Sequence, residues 1–91
     1  LLFTCRYGHI EVINALLEKS ADVNTENNDR YTPLLFASRY GYVEVVNILL
    51  EKGANVYAED NDGYTSIHLA SIHCHAEVVK ILHAAIEGED Q

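Results

Sequence analysis

Three groups of side chains carry the donors or nucleophiles from which a reactive site is built. His73, Cys74 and His75 run consecutively, with His68 and His83 on either side. Imidazole and thiolate are zinc ligands, and a structural zinc needs four of them converging as a tetrahedron. Consecutive residues point in different directions on a helix, and His68 and His83 fall in different expected helices, so convergence there would be accidental. Cys5 and His9 stand four apart, as a thiol and its base could. Gly8 breaks the helix between them, and Cys5 falls at a small, packed position that Ser38 and Ser71 fill in later copies of the same pattern. Glu59, Asp60 and Asp62 supply neighbouring carboxylates, but on a stretch whose polarity marks a solvated loop. Neither a phosphate-cradling glycine loop nor a serine elbow occurs. The sequence therefore reads as non-catalytic, with no metal and no cofactor.

What positions these residues is a repeat. Residues 1–27 overlay residues 34–60 at an offset of 33 without a gap, matching at 16 of 27 positions. A further step of 33 lays residues 28–58 on 61–91, matching at 11 of 31 and keeping Asn-Asp, Tyr-Thr, Ala-Ser and Glu-Val-Val in register. A constant period means one supersecondary unit stacked several times. Stacked units bury a continuous apolar core and leave long faces free, so a binding surface is the first functional expectation. The division is 1–27, 28–60 and 61–91. Leu1 enters at the position Leu34 occupies, so the first unit lacks its lead-in turn and the chain reads as a piece of a longer array.

The middle unit is the cleanest. Thr32-Pro33-Leu34 is a helix start, with Thr32 capping and Pro33 at the first helical position, where no donor is needed. Gly41 ends this short helix. A second runs from about Val43 to Lys52, and the apolar face of Val45, Val46, Ile48, Leu49 and Leu50 is wide enough to pack between two neighbours. Gly53 stops it. The stretch to Thr65, crowded with Asn, Asp and Gly, returns to the next helix start as a projecting, hairpin-like loop.

Composition narrows the function. With 91 residues this is one small domain, and a formal charge of −8 argues against nucleic-acid binding and against docking on anionic lipid. No apolar run approaches the roughly 20 residues of a membrane span, and no signal peptide is visible. Cys5 and Cys74 lie in equivalent helices two units apart. That is roughly 20 Å at helix-packing distances, too far for a disulfide. Free thiols suit an intracellular compartment, cytoplasmic or nuclear.

These residues resemble the ankyrin repeat. Tyr31-Thr32-Pro33-Leu34-Leu35-Phe36-Ala37, Gly41-Tyr42-Val43-Glu44-Val45-Val46 and Gly53-Ala54-Asn55-Val56 follow the family pattern, as do Asp62-Gly63-Tyr64-Thr65-Ser66-Ile67-His68-Leu69-Ala70, Gly8-His9-Ile10-Glu11-Val12-Ile13 and Ala21-Asp22-Val23-Asn24. The resemblance implies an all-α solenoid of three helix-turn-helix units, the first incomplete, joined by projecting β-hairpin-like loops. His68 matches a family position whose imidazole bonds backbone in a neighbouring turn. Departures are Arg30 for the turn glycine, so that turn must adapt, and Ser20 for the helix-ending Gly53. In the third unit Ser66 replaces proline, Cys74 replaces glycine, His83 replaces Leu50 and Ile86 replaces Gly53. Its last helix should run on towards Glu87, and with its polar tail the unit reads as a C-terminal cap. Leu1, Leu2 and Phe3 should form an exposed edge open to end-to-end self-association.

The resemblance also implies where a partner protein would touch, at loop tips and the ends of the first helices. Those positions are Arg6, Tyr7 and Glu26; Asn28, Asp29, Tyr31, Arg39, Tyr40 and Glu59; and Asn61, Asp62, Tyr64, Ile72 and His73. Arg6-Tyr7 and Arg39-Tyr40 should align about 10 Å apart as a ladder. Tyr and Arg are frequent hot spots because each offers area with a polar handle. The acidic tips, Asp22, Glu26, Asp29, Glu59, Asp60 and Asp62, call for a partner with a basic surface. The alternative is a structural spacer that packs only on its own neighbours. Leu16, Asp22 and Asn24 match the spacing of family members hydroxylated on asparagine, which singles out Asn24.

Overall fold

The computed structural model describes residues 9–19 and 21–89. They form five helices, α1 (Ile10–Glu18), α2 (Pro33–Tyr40), α3 (Val43–Glu51), α4 (Ser66–Ile72) and α5 (Ala76–Glu89), and no strand occurs among them. Leu1, Leu2, Phe3, Cys5 and Ser20 lie outside the described residues, and so do the expectations placed on them.

The helices make two layers. The short α2 and α4 lie side by side in one, and α1, α3 and α5 form the other, with α2–α3 and α4–α5 closing each unit across them. Ile13, Val46, Leu49, Val78 and Leu82 are fully buried in the long-helix layer, and Leu34, Ala37 and Ala70 in the short-helix layer. The Val45–Leu49 face is therefore a core between neighbouring units. Truncating Leu49 or Leu82 to Ala would cost about 2–5 kcal/mol, because so enclosed a site cannot collapse around the void.

The helix ends and turns follow from the sequence with one exception. Thr32 Oγ1 accepts the Leu35 N–H at 3.3 Å, Pro33 takes the first turn, and Gly41 closes α2 at φ 74°. In unit 3, Thr65 caps α4 and its N–H donates to His68 Nδ1 at 3.1 Å, so His68 serves its own helix start. Ser66, standing where unit 2 has Pro33, is buried with no partner for its hydroxyl. The exception is Arg30. Its turn does not adapt: Arg30 takes the left-handed conformation at φ 65°, as Gly63 does at φ 82°, and Cys74 does likewise at φ 62° in the place of Gly41. In the two loop tips side-chain acceptors lock the turn geometry, strongly enough at Arg30 to hold a Cβ at an angle costing about 1–2 kcal/mol. The last helix, α5, follows the expectation: it passes Ile86 without a stop and runs to Glu89, as the missing glycine implies.

Those acceptors are Asn27 and Asp60, one period apart. Asn27 Oδ1 accepts the N–H groups of Asp29 and Tyr31 at 2.9 and 3.0 Å; Asp60 Oδ1 accepts those of Asp62 and Tyr64 at the same distances. Each loop closes with one hairpin-like backbone bond, Asn27 N–H to Tyr31 carbonyl and Asp60 N–H to Tyr64 carbonyl, both 3.1 Å. Asp60 is thus 6% exposed, which corrects its reading as part of a solvated charge run. A carboxylate with two amide donors is worth more inside the turn than in water.

Candidate functional site

Three side chains fix one unit against the next and hold the tips at a set spacing. Asn24 Oδ1 accepts the Asn55 N–H at 2.8 Å, while its Nδ2 reaches the Gly53 carbonyl at 3.5 Å. Asn61 donates its backbone N–H to the Asp29 carbonyl at 3.1 Å and its Nδ2 to the Asn28 carbonyl at 3.3 Å. His75 Nε2–H donates to the Arg39 carbonyl at 2.9 Å, satisfying the open end of α2. Its ring lies against Gly41, where a Cβ would sit 2.5 Å from Nδ1. Asn24, the residue singled out for hydroxylation, therefore spends its amide on tying units 1 and 2 together.

On this frame the sequence-derived positions fall as follows. Glu26, Asn28, Asp29, Arg39, Tyr40, Glu59, Asn61, Asp62, Tyr64, Ile72 and His73 are exposed, and Tyr31 is half-buried. Arg6 and Tyr7 lie outside the described residues, and with them one rung of the ladder. Asp29, Tyr31, Arg39, Asn61 and Asp62 come together with Asp60 around one open cleft between the second and third tips. Tyr64 and Ile72 line a separate groove with His68 and Ser71. Glu26, Asn28 and Glu59 stand outside both linings, and His73 stacks on His75 with centroids 6.4 Å apart. Ser71 is exposed, although its equivalent Ser38 is fully buried, so of the two described copies the position is packed in unit 2 and open in unit 3.

The cleft is built around Arg39, at the last turn of α2. Its Nη1 donates to the Tyr31 hydroxyl at 3.2 Å, and its guanidinium carbon lies 5.6 Å from the Tyr40 ring centroid and 6.0 Å from that of Tyr31. The Tyr31 hydroxyl bond holds the guanidinium above its ordinary pKa; the Tyr31 charge adds to this, burial opposes it, and Tyr40 and Asp60 contribute further. Tyr31 is in turn fixed against Phe36, with ring centroids 4.7 Å apart. The result is a cation held beside two aromatic rings, in a cleft that Asp29, Asp60, Asn61 and Asp62 also line. Such a cluster offers aromatic area, a cation and carboxylates side by side.

Sequence reasoning missed Tyr42, which stacks on Tyr40 with centroids 6.0 Å apart at 28° and extends the aromatic surface beyond the helix end. The signal was present, since Gly41 between two tyrosines reverses the chain and brings both rings to one side. It also passed over Tyr57, 54% exposed on the loop after α3. Among the described residues no group of three or more His, Cys, Asp or Glu is placed to hold a metal ion. His83 instead faces Glu87 at 3.5 Å across one turn, an exposed pair of little energetic weight. Cys74 is a free, exposed thiol. No helix among the described residues is long and apolar enough to cross a membrane.

Comparison with known proteins agrees with the helical fold. The family model described as ankyrin repeats (3 copies) matches residues 1–90. The repeats of that family generally mediate protein–protein interaction and are typically non-catalytic. No curated protein matches the chain.

Proposed function

The chain belongs to the ankyrin-repeat family, and from that membership we propose that it is a non-catalytic module that binds a partner protein through its loop tips and the ends of its first helices. The observation that carries the reading is the Tyr31–Arg39–Tyr40 clamp, in which a long cationic side chain is ordered before any partner arrives. Pre-ordering lowers the entropy lost on binding, by about 0.5–1.5 kcal/mol for a side chain of this kind. The carboxylates of Asp29 and Asp62 beside the clamp, and a chain charge of −8, favour a partner with a basic surface around an apolar or carboxylate group that meets Arg39.

The test is capture of a partner from cell extract on the immobilised chain at physiological salt, followed by the same capture with Arg39→Ala and Tyr40→Ala. Both residues are exposed, so circular dichroism should register no loss of helix. A retained partner whose affinity falls at least about tenfold in each variant supports the proposal. Retention of nothing would make the segment a spacer, and equal retention by the variants would place the contact elsewhere.

A further inference from the structure

The cleft between the second and third tips holds more negative charge than its own residues answer. Asp29, Asp60 and Asp62 line it with Tyr31, Arg39 and Asn61, so three carboxylates accompany one guanidinium. Arg39 is already engaged, with one nitrogen on the Tyr31 hydroxyl at 3.2 Å and its guanidinium beside two rings. No basic side chain lies within ion-pairing distance of Asp60 among the described residues, where His83 with Glu87 is the one such pair. Yet Asp60 is only 6% exposed. Its Oδ1 takes both turn amides, at 2.9 and 3.0 Å, and its second oxygen has no hydrogen bond among the described residues. A carboxylate so enclosed is costly without a counter-charge, and the turn amides offset only part of that cost. Both walls of the cleft belong to described units, and they are tied together. Asn61 gives its N–H to the Asp29 carbonyl at 3.1 Å and its Nδ2 to the Asn28 carbonyl at 3.3 Å. Asp29 and Asp62, one period apart and both exposed, therefore stand on their two tips at a fixed spacing.

We propose that this cleft seats one arginine side chain of the partner protein, its guanidinium shared by Asp29 and Asp62 and completing the bonds of Asp60. The proposal rests on the reading of the chain as a binding module and names what its partner presents. Charge selects a cation: a carboxylate or phosphate entering the cleft would meet three carboxylates, whereas a cation supplies the counter-charge that Asp60 lacks. Geometry selects arginine over lysine. Acceptors on two tips and on the wall between them suit a planar fork with five donors, while an ammonium is a compact, strongly hydrated point charge. Arg39 repels either cation alike, so it does not alter the choice.

The probes are capped pentapeptides with one central residue between glycines: arginine, its neutral isostere citrulline, or lysine. Each is titrated into the isotope-labelled chain at physiological salt and followed by amide chemical shifts. The arginine peptide should shift Asp29, Tyr31, Asn61 and Asp62, and bind at least about fivefold tighter than either other peptide. Asp60→Asn keeps an oxygen for both turn amides, as Asn27 does, and removes the charge. It should leave circular dichroism unchanged and weaken the arginine peptide at least about fivefold, as should Asp62→Asn. Glu44→Gln, which removes an equal charge from the exposed side of α3, should not. No shifts at the cleft, equal binding of citrulline or lysine, unaltered binding by Asp60→Asn, or equal loss in Glu44→Gln would each overturn the proposal. The module reading fails separately. A captured partner that depends on Arg39 and Tyr40 but is held equally by Asp60→Asn would keep the module and overturn the arginine seat. An arginine peptide bound at the cleft, with no partner retained from extract, would overturn the module and keep the seat.

Discussion

Replacing Gly41 by Ala tests whether one contact between units fixes the stack. Among the described residues three glycines hold left-handed backbone, Gly41, Gly53 and Gly63, at φ 74°, 88° and 82°. A Cβ at Gly53 or Gly63 meets open space, whereas at Gly41 it would lie 2.5, 2.7 and 2.8 Å from three ring atoms of His75. The backbone alone costs about 1–2 kcal/mol for each Gly→Ala change. Reduced freedom of the unfolded chain returns about 0.4–1 kcal/mol of it. Gly41→Ala adds the displacement of a ring held by its bond to the Arg39 carbonyl, an overpacking cost of about 1–3 kcal/mol. In a His75→Ala background that addition disappears, so the two changes should couple by about 1–3 kcal/mol. Urea unfolding followed by circular dichroism, over the three glycine variants and the Gly41/His75 double-mutant cycle, measures each term. Equal losses at all three glycines, or a coupling below about 0.5 kcal/mol, would refute the claim that His75 seats unit 3 on unit 2.

Ser66→Pro should stabilise the chain by about 1 kcal/mol. It removes a buried hydroxyl with no partner and restores the residue that Pro33 shows to fit this position, and thermal unfolding should rise by about 4–8 °C. Asp60→Asn should be nearly neutral, because Asn27 makes the same two bonds one period earlier, whereas Asp60→Ala should lose about 1–3 kcal/mol in urea unfolding through two amides left unbonded in the turn.

The layering was legible because it rests on side chains that repeat. Leu34, Ala37, Val45, Val46 and Leu49 recur at helical spacing and again one period away, and each is buried in the structure. The long α5 was legible from Ile86 in place of glycine. Less visible were features set by the balance of competing local forces. Residue type argues against Arg30 at φ 65°, yet the Asn27 acceptor and the backbone bond from Arg30 N–H to the Asn27 carbonyl at 3.0 Å prevail over that preference. Composition likewise assigns Asp60 to solvent, and only its two amide donors bring it inside. The candidate site divided along the same line. Arg39 and Tyr40 stood out by type, but the clamp needs Tyr31, eight residues earlier, and no spacing rule links a loop tip to the end of the helix it precedes.

A stack that presents its tips and first-helix ends to another protein should change its amide environments there and nowhere else. Residue-resolved amide shifts of the labelled chain on addition of the captured partner measure this. Perturbation is expected at Asp29, Tyr31, Arg39, Tyr40, Asn61 and Asp62, with the exposed positions Glu11, Glu44 and Asn47 of the long-helix layer unmoved. Perturbation confined to those positions of the long-helix layer would contradict it.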